Sequence, residues 1–255
     1  MPPSSLDRVI ILAAGLGLRL GALTSDRPKA LIHVAGQTLL ERALGFASSL
    51  APREIVVVAG FRRDLVERHL AALAMPRVRL VDNPAYDRGN LHSVEAALAR
   101  HGEGSFLLTN CDHVFPETAA TRIAEGSGVT AYCEFERAPE PDEMKVDVDG
   151  SGALLRIAKS LTAFDGCYVG LTRVAGEALG DYRRALARAR DLHGDAAVAE
   201  HVLQALADGG VRVHAASFDG IAWSEVDTPD DLRRADARLK AAAFDRAKRS
   251  AAADD

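Results

Sequence analysis

The chain has 255 residues, with 31 Lys+Arg against 36 Asp+Glu for a formal net charge of −5. At 48% hydrophobic and 26% charged it has a globular composition, long enough for one large domain or two small ones with a sizeable core. The acidic balance argues against a broad nucleic-acid-binding surface, three scattered cysteines (Cys111, Cys133, Cys167) against a disulfide framework or a Cys-x-x-Cys metal site, and the lack of any apolar run of about 18 residues against a membrane span.

Met1 to Arg8 is short and polar and has no secretory apolar core, so the expected location is the cytoplasm. Val9–Ala14 is a short continuous apolar run, as expected of a buried strand in a parallel sheet. A loop rich in Gly, Pro and polar residues follows from Gly15 to Lys29. Thr38-Leu39-Leu40-Glu41 has capping-box spacing and predicts a helix to about Leu50. Glu54–Ala59 and Val78–Val81 are predicted strands on either side of a helix from Arg62 to Ala74. Asp82 to Asn90 is a polar loop, Leu91 to Arg100 repeats apolar residues at helical spacing, and Ser105–Asn110 is a fourth strand. Pro116 suits the first turn of a further helix.

This alternation predicts an α/β, doubly wound, mostly parallel sheet. After Gly128 the pattern changes. Val129–Phe135, Met144–Val148, Ala153–Ala158 and Cys167–Thr172 are predicted strands, with a hairpin turn at Asp149-Gly150-Ser151-Gly152. Helices near Ala175–Arg190 and Ala196–Ala207 precede returning strands at Val211–Ala215 and Ile221–Val226. Thr228 as N-cap, Pro229 at N1 and the acids Asp230 and Asp231 open a final helix. The expected organisation is one domain over 1–255: an alternating α/β half at about 8–127, a hairpin-rich half with a closing helix at about 128–240, and a frayed tail at 246–255.

The first loop carries the chemistry. Gly15-Leu16-Gly17-Leu18-Arg19-Leu20-Gly21 lacks the third glycine of a dinucleotide fingerprint, where Leu20 stands, and lacks the Gly-Lys-Ser/Thr of a Walker A loop. It suits a flexible wrap around a triphosphate. Gly15 and Gly17 let backbone N–H groups approach phosphate oxygens, Arg19 and Lys29 supply charge, and Pro28 fixes the approach of Lys29.

Leu12-Ala13-Ala14-Gly15, Gly17-Leu18-Arg19 and Pro28-Lys29 resemble, in order and spacing, the signature of the sugar-nucleotide-type nucleotidyltransferases. One position departs: Leu18 stands where the family often has Ser or Thr, so a hydroxyl contact to phosphate is missing or comes from elsewhere. The resemblance implies a Rossmann-like nucleotidyltransferase core. It places metal-binding aspartates at Asp112, after the central strand, and at Asp227, near the end of the core. Metal ligation also suits the chemistry better than an acid/base pair, because a phosphomonoester nucleophile with a second pKa of about 6 needs no general base. Glu225 is a backup carboxylate.

Within that family, Asp112-His113-Val114-Phe115 resembles a segment of the CTP:inositol-1-phosphate cytidylyltransferases, although Cys111 replaces a common glycine. Met144-Lys145-Val146 and Ile157-Ala158-Lys159-Ser160-Leu161 resemble the acceptor-side hairpin of inositol-phosphate and choline-phosphate cytidylyltransferases. Trp223 to Leu232 resembles their closing metal-aspartate segment. The resemblance spans roughly Val9 to Leu239.

It implies an Mg²⁺-dependent transfer of CMP from CTP to a small phosphorylated alcohol, with inositol 1-phosphate preferred. In this assignment Arg19 and Lys29 hold the triphosphate, and Asp112 and Asp227 hold Mg²⁺. Lys159 holds the acceptor phosphate. Leu12, Ala13, Ala14, Gly15, Gly17 and Asn90 line the nucleotide site. Lys145 and His113 have either structural or supporting roles. A choline acceptor would want an aromatic cage, for which Tyr132, Phe135, Tyr168 and Trp223 are candidates; a polyol would use Glu134, Glu136, Arg137 or Asp165. Choline phosphate, a phosphonate, a sugar 1-phosphate with another NTP, and a nucleotide-sensing module without turnover stay open as alternatives. A homodimer is the candidate assembly.

Overall fold

The computed structural model describes residues 6–100, 103–123 and 126–251, without the side chains of 246, 247 and 249–251. In chain order the first strands are β1 (Arg8–Leu12), β2 (His33–Val34), β3 (Gln37–Thr38), β4 (Glu54–Ala59), β5 (Val78–Asp82), β6 (Phe106–Asn110) and β7 (His113–Val114). The others are β8 (Val129–Glu134), β9 (Lys145–Val148), β10 (Leu154–Ala158), β11 (Gly166–Val174), β12 (Val213–Ser217) and β13 (Ser224–Glu225). The helices are α1 (Leu39–Ser49), α2 (Arg63–Leu73), α3 (Leu91–Arg100), α4 (Leu179–His193), α5 (Ala199–Asp208) and α6 (Pro229–Ala251).

A nine-stranded sheet takes strands from both halves of the chain. β1 pairs in parallel with β4 and β6, and β4 with β5. Antiparallel β11 joins β6 to β8, which pairs in parallel with β12. The β9–β10 hairpin lies against the start of β11. Alternation along β1 explains the double winding. Ile10 and Leu12 face a core shared with α3, α4 and α5, while Val9 and Ile11 face one shared with α1 and α2. Full burial of each such side chain contributes roughly 1.5–3 kcal/mol. A third cluster packs α6, through Leu232, Ala235 and Leu239, onto Leu20 and Ile32 of the first loop and Val114 of β7.

Local signals work where the chain supplies them. Thr38 Oγ1 accepts from Glu41 N at 3.1 Å and Glu41 Oε2 from Thr38 N at 2.6 Å, so the capping box opens α1. Asp149 Oδ1 accepts from Ser151 N, Ser151 Oγ and Ala153 N, which closes the β9–β10 turn. Thr228 and Asp231 exchange hydrogen bonds at the start of α6.

Four expectations need correction. Ile221–Val226 is not a full strand. Only Ser224–Glu225 is extended, and it crosses to pair with β7, Glu225 opposite His113, instead of joining the large sheet. The Gly15–Lys29 loop contains a 3₁₀ turn at Leu18–Thr24, because Thr24 Oγ1 donates to the carbonyls of Gly17 and Gly21. Pro116 precedes a short 3₁₀ helix, Glu117–Arg122, rather than an α-helix. The backbone from Arg246 to Ala251 continues α6 where fraying was expected; residues 252–255 of that tail, like 1–5 at the other end, lie outside the described residues. Among the described residues no helix is long and apolar enough to cross a membrane.

Candidate active site

A cleft of about 320 Å³ opens where β1 and β6 end, the edge at which open α/β sheets place ligands. It gathers Leu12, Ala13, Ala14, Gly15, Arg19, Lys29, Asn90, Asp112, Lys159 and Asp227, residues spread over more than half the chain. Gly17 is the exception, since it is not among the residues that line the cleft. It has φ +65°, and a Cβ there would stand 2.8 Å from Lys29 Cβ, so a glycine at this point lets the lysine pass.

Lys29 occupies the centre. Its Nζ donates to Asp112 Oδ2 at 2.6 Å and also to Asp227 Oδ1. Its side chain is only 8% exposed. Burial works against the ammonium, but Asp112 and Asp227 outweigh it and lift its pKa well above the ordinary lysine value. Burial would likewise raise Asp112, yet Lys29 and His113 hold that carboxyl well below the usual range. Asp227 also pairs with Arg19, whose other guanidinium nitrogen donates to Asp142 Oδ2 at 2.6 Å. Asp142 in turn accepts from Lys159 Nζ at 2.8 Å through Oδ1. One carboxylate therefore connects the first loop to the end of the hairpin.

β7 and β13 supply a second layer. His113 Nδ1 donates to Asp112 Oδ1 at 2.8 Å, and its ring stacks on Trp223 with centroids 5.4 Å apart and planes 5° from parallel. Glu225 shares this corner. Burial is opposed by His113 and reinforced by Asp112 and Asp227, and the net effect pushes its carboxyl up to about 7. Ligand atoms of Asp112, His113 and Glu225 lie within 4.8 Å of one another. Two carboxylates already converging on a cation, with a third nearby, form a hard oxygen-rich donor set that fits Mg²⁺.

Other candidate residues divide. Asn90 lines the cleft, but its Oδ1 caps α5 by accepting from Ala199 N at 2.8 Å. Lys145 is buried and donates to the carbonyls of Pro141 and Lys159, a structural role. Tyr132 is fully buried against Phe218, and Phe135 packs against the core, so neither joins Tyr168 and Trp223 in the cleft and the four-ring cage does not assemble. Arg137 is spent on Glu134 and Glu143, Asp165 Oδ2 accepts from Val148 N, and Glu136 is exposed. Asp142 and Glu200 are among the cleft residues that carry no sequence assignment. Asp142 sits in the acidic run Glu140-Pro141-Asp142-Glu143, and Glu200 has the look of an ordinary first-turn helix acid.

Comparison with known proteins bears on the family and the fold. Residues 9–208 match the model of the MobA-like NTP transferase domain, and the chain belongs to that family of nucleotidyltransferases. A bifunctional IPC transferase and DIPP synthase from Rubrobacter xylanophilus is 37% identical over 229 residues, covering 88% of this chain and 50% of that protein. A CMP-5'-(3-aminopropyl)phosphonate synthase from Streptomyces rubellomurinus is 33% identical over 248 residues, covering 91% of this chain and 38% of that protein. The chain thus spans about half or less of the length of these curated relatives. The solved inositol-1-phosphate CTP transferase from T. maritima superposes with a TM-score of 0.76 at 22% identity, covering 89% of this chain and 91% of that one, a likeness of fold.

Proposed function

We propose that the chain is a cytidylyltransferase that transfers CMP from CTP to a small phosphorylated alcohol, with inositol 1-phosphate as the acceptor. The observation that carries this reading is the convergence of Asp112 and Asp227 on one cation beside the glycine-rich loop, with Lys159 delivered to the same cleft by the hairpin. The named activities of the relatives support it.

An acceptor phosphate oxygen attacks the α-phosphorus, the bond from that phosphorus to the β-phosphate bridge breaks, and pyrophosphate leaves. With a second pKa of about 6, the acceptor phosphate is largely dianionic at pH 7, so no side chain need remove a proton. The difficulty is repulsion between two anions. Arg19 and Lys29 bind and orient the triphosphate, and Lys159 holds the acceptor phosphate in line. Asp112 and Asp227 would hold Mg²⁺, which when bound neutralises phosphate charge. His113, fixed by Trp223, orients the Asp112 carboxylate. Leu12, Ala13 and Ala14 offer backbone groups to the nucleotide.

A phosphonate acceptor is the second reading, favoured by the Streptomyces relative. Pyrophosphate release is measured with each of four NTPs, with and without Mg²⁺, against inositol 1-phosphate, choline phosphate, an aminoalkylphosphonate and a sugar 1-phosphate. Release that requires CTP, metal and inositol 1-phosphate together is expected. Release with none of the pairs, or only with another NTP, overturns the reading.

A further inference from the structure

The proposed reaction gives Glu200, a carboxylate lining the cleft, no task. Glu200 is the second residue of α5 and lines the same cleft as Lys159, His113 and Tyr168. Its side chain forms no hydrogen bond to any other described residue. Burial holds its carboxyl above the ordinary range, against the charges of His113 and Lys159, which favour ionisation. A partly buried carboxylate without donors is costly unless something brings them.

The backbone around Glu200 is built to stay in place. Gly89 N donates to Asp195 O at 2.7 Å, Leu91 N to Ala197 O at 3.2 Å, and Asn90 Oδ1 caps Ala199 N. A side chain at Gly89 would run into the Ala197 carbonyl. α5 is also bolted to the hairpin. Gln204, one helical turn beyond Glu200 on the same face, accepts from Ile157 N at 2.9 Å through Oε1. Ile157 lies two residues before Lys159 on the strand that delivers it. Glu200 and Lys159 therefore belong to one rigid unit, a cation and an anion presented to the cleft together.

We propose that Glu200 accepts hydrogen bonds from the acceptor's head group, so that the site selects acceptors carrying a hydroxyl or an ammonium near the phosphate held by Lys159. This rests on the cytidylyltransferase reading and adds a specificity-determining residue to it. Hydroxyl and ammonium donors share this chemistry, and the test separates them.

Steady-state rates are measured for the wild type, Glu200→Gln and Glu200→Ala with CTP and three acceptors: inositol 1-phosphate, 2-aminoethylphosphonate and n-propyl phosphate, which has no donor. Glu200→Ala is expected to raise KM for the donor-bearing acceptor by about tenfold or more, with KM for CTP changed less than about twofold. With n-propyl phosphate the three proteins should match. Glu200→Gln should recover much of the loss for a hydroxyl acceptor and little for an ammonium, which identifies the source. Equal KM values across the variants, or equal losses with n-propyl phosphate, overturn the inference while wild-type turnover upholds the reading beneath it. A wild type that releases no pyrophosphate with any acceptor overturns both.

Discussion

No side chain fits at Gly170 beside His113: a Cβ there would stand 2.5 Å from His113 Nε2. Gly170 has φ +78° and lies where the register between β11 and β8 slips, a bulge that bends the strand beneath the site. Gly170→Ala is therefore expected to destabilise the protein by about 1–3 kcal/mol, from backbone strain plus overpacking. It should also lower turnover, because His113 must shift and Asp112 moves with it. Urea denaturation and pyrophosphate release check both parts, and an unchanged midpoint would contradict the first.

Replacing Lys29 removes the ammonium that two carboxylates share. Lys29→Met should reduce turnover by about a hundredfold or more if Lys29 stabilises the triphosphate. In the absence of nucleotide it leaves Asp112 to His113 and Asp227 to Arg19 alone, a loss of up to about 3–5 kcal/mol by the precedent of broken buried pairs. A divalent cation should restore part of that. The prediction is a rise in Tm on adding Mg²⁺ that is larger in the variant than in the wild type, read by calorimetry. An equal rise in both would show that Lys29 and the metal do not contend for the same carboxylates.

Asn90→Ala is expected to cost about 1 kcal/mol, as for loss of a helix cap, although the cap here comes from a residue 109 positions away. Hydrogen exchange should speed up at the first turn of α5 and not at α1. Uniform acceleration would point to a global effect instead.

The hairpin turn supplies a pH test away from the cleft. Hydrogen bonds from Ser151 and Ala153 hold the Asp149 carboxyl at about 2, below its ordinary value of 3.8. A depressed carboxyl contributes stability above its unfolded pKa and loses it as pH falls through the folded one. The Tm difference between wild type and Asp149→Asn should be constant from pH 5 to 7 and shrink between about pH 4 and pH 2. A difference that does not change with pH would refute the charge contribution.

Much of this architecture is legible along the chain, because β1, the α1 capping box, the β9–β10 turn and the Thr228 cap each rest on neighbours within a few residues. The signature from Leu12 to Lys29 likewise carries its chemistry locally. What escapes is pairing at a distance. Nothing near Ser224 and Glu225 announces that they turn away from the sheet edge to pair with His113 and Val114. Asp142 has an acidic neighbourhood but no local sign that Arg19 and Lys159 both come to it. Asn90 carries the mark of a cap, and only the fold reveals that the helix it caps is α5. Tyr132 matched an aromatic-cage pattern by type, and strand direction sends it to the opposite face.

Asp142, bound at once by Arg19 and Lys159, engages both of these cations from within the cleft. On the proposed assignment, a phosphate that binds Arg19 or Lys159 displaces this carboxylate and does not meet a bare cation. Net attraction is therefore weaker than the number of basic groups suggests, and stray anions in solution gain little by entering. On the same assignment, the triphosphate at Arg19 and the acceptor phosphate at Lys159 compete with one and the same side chain.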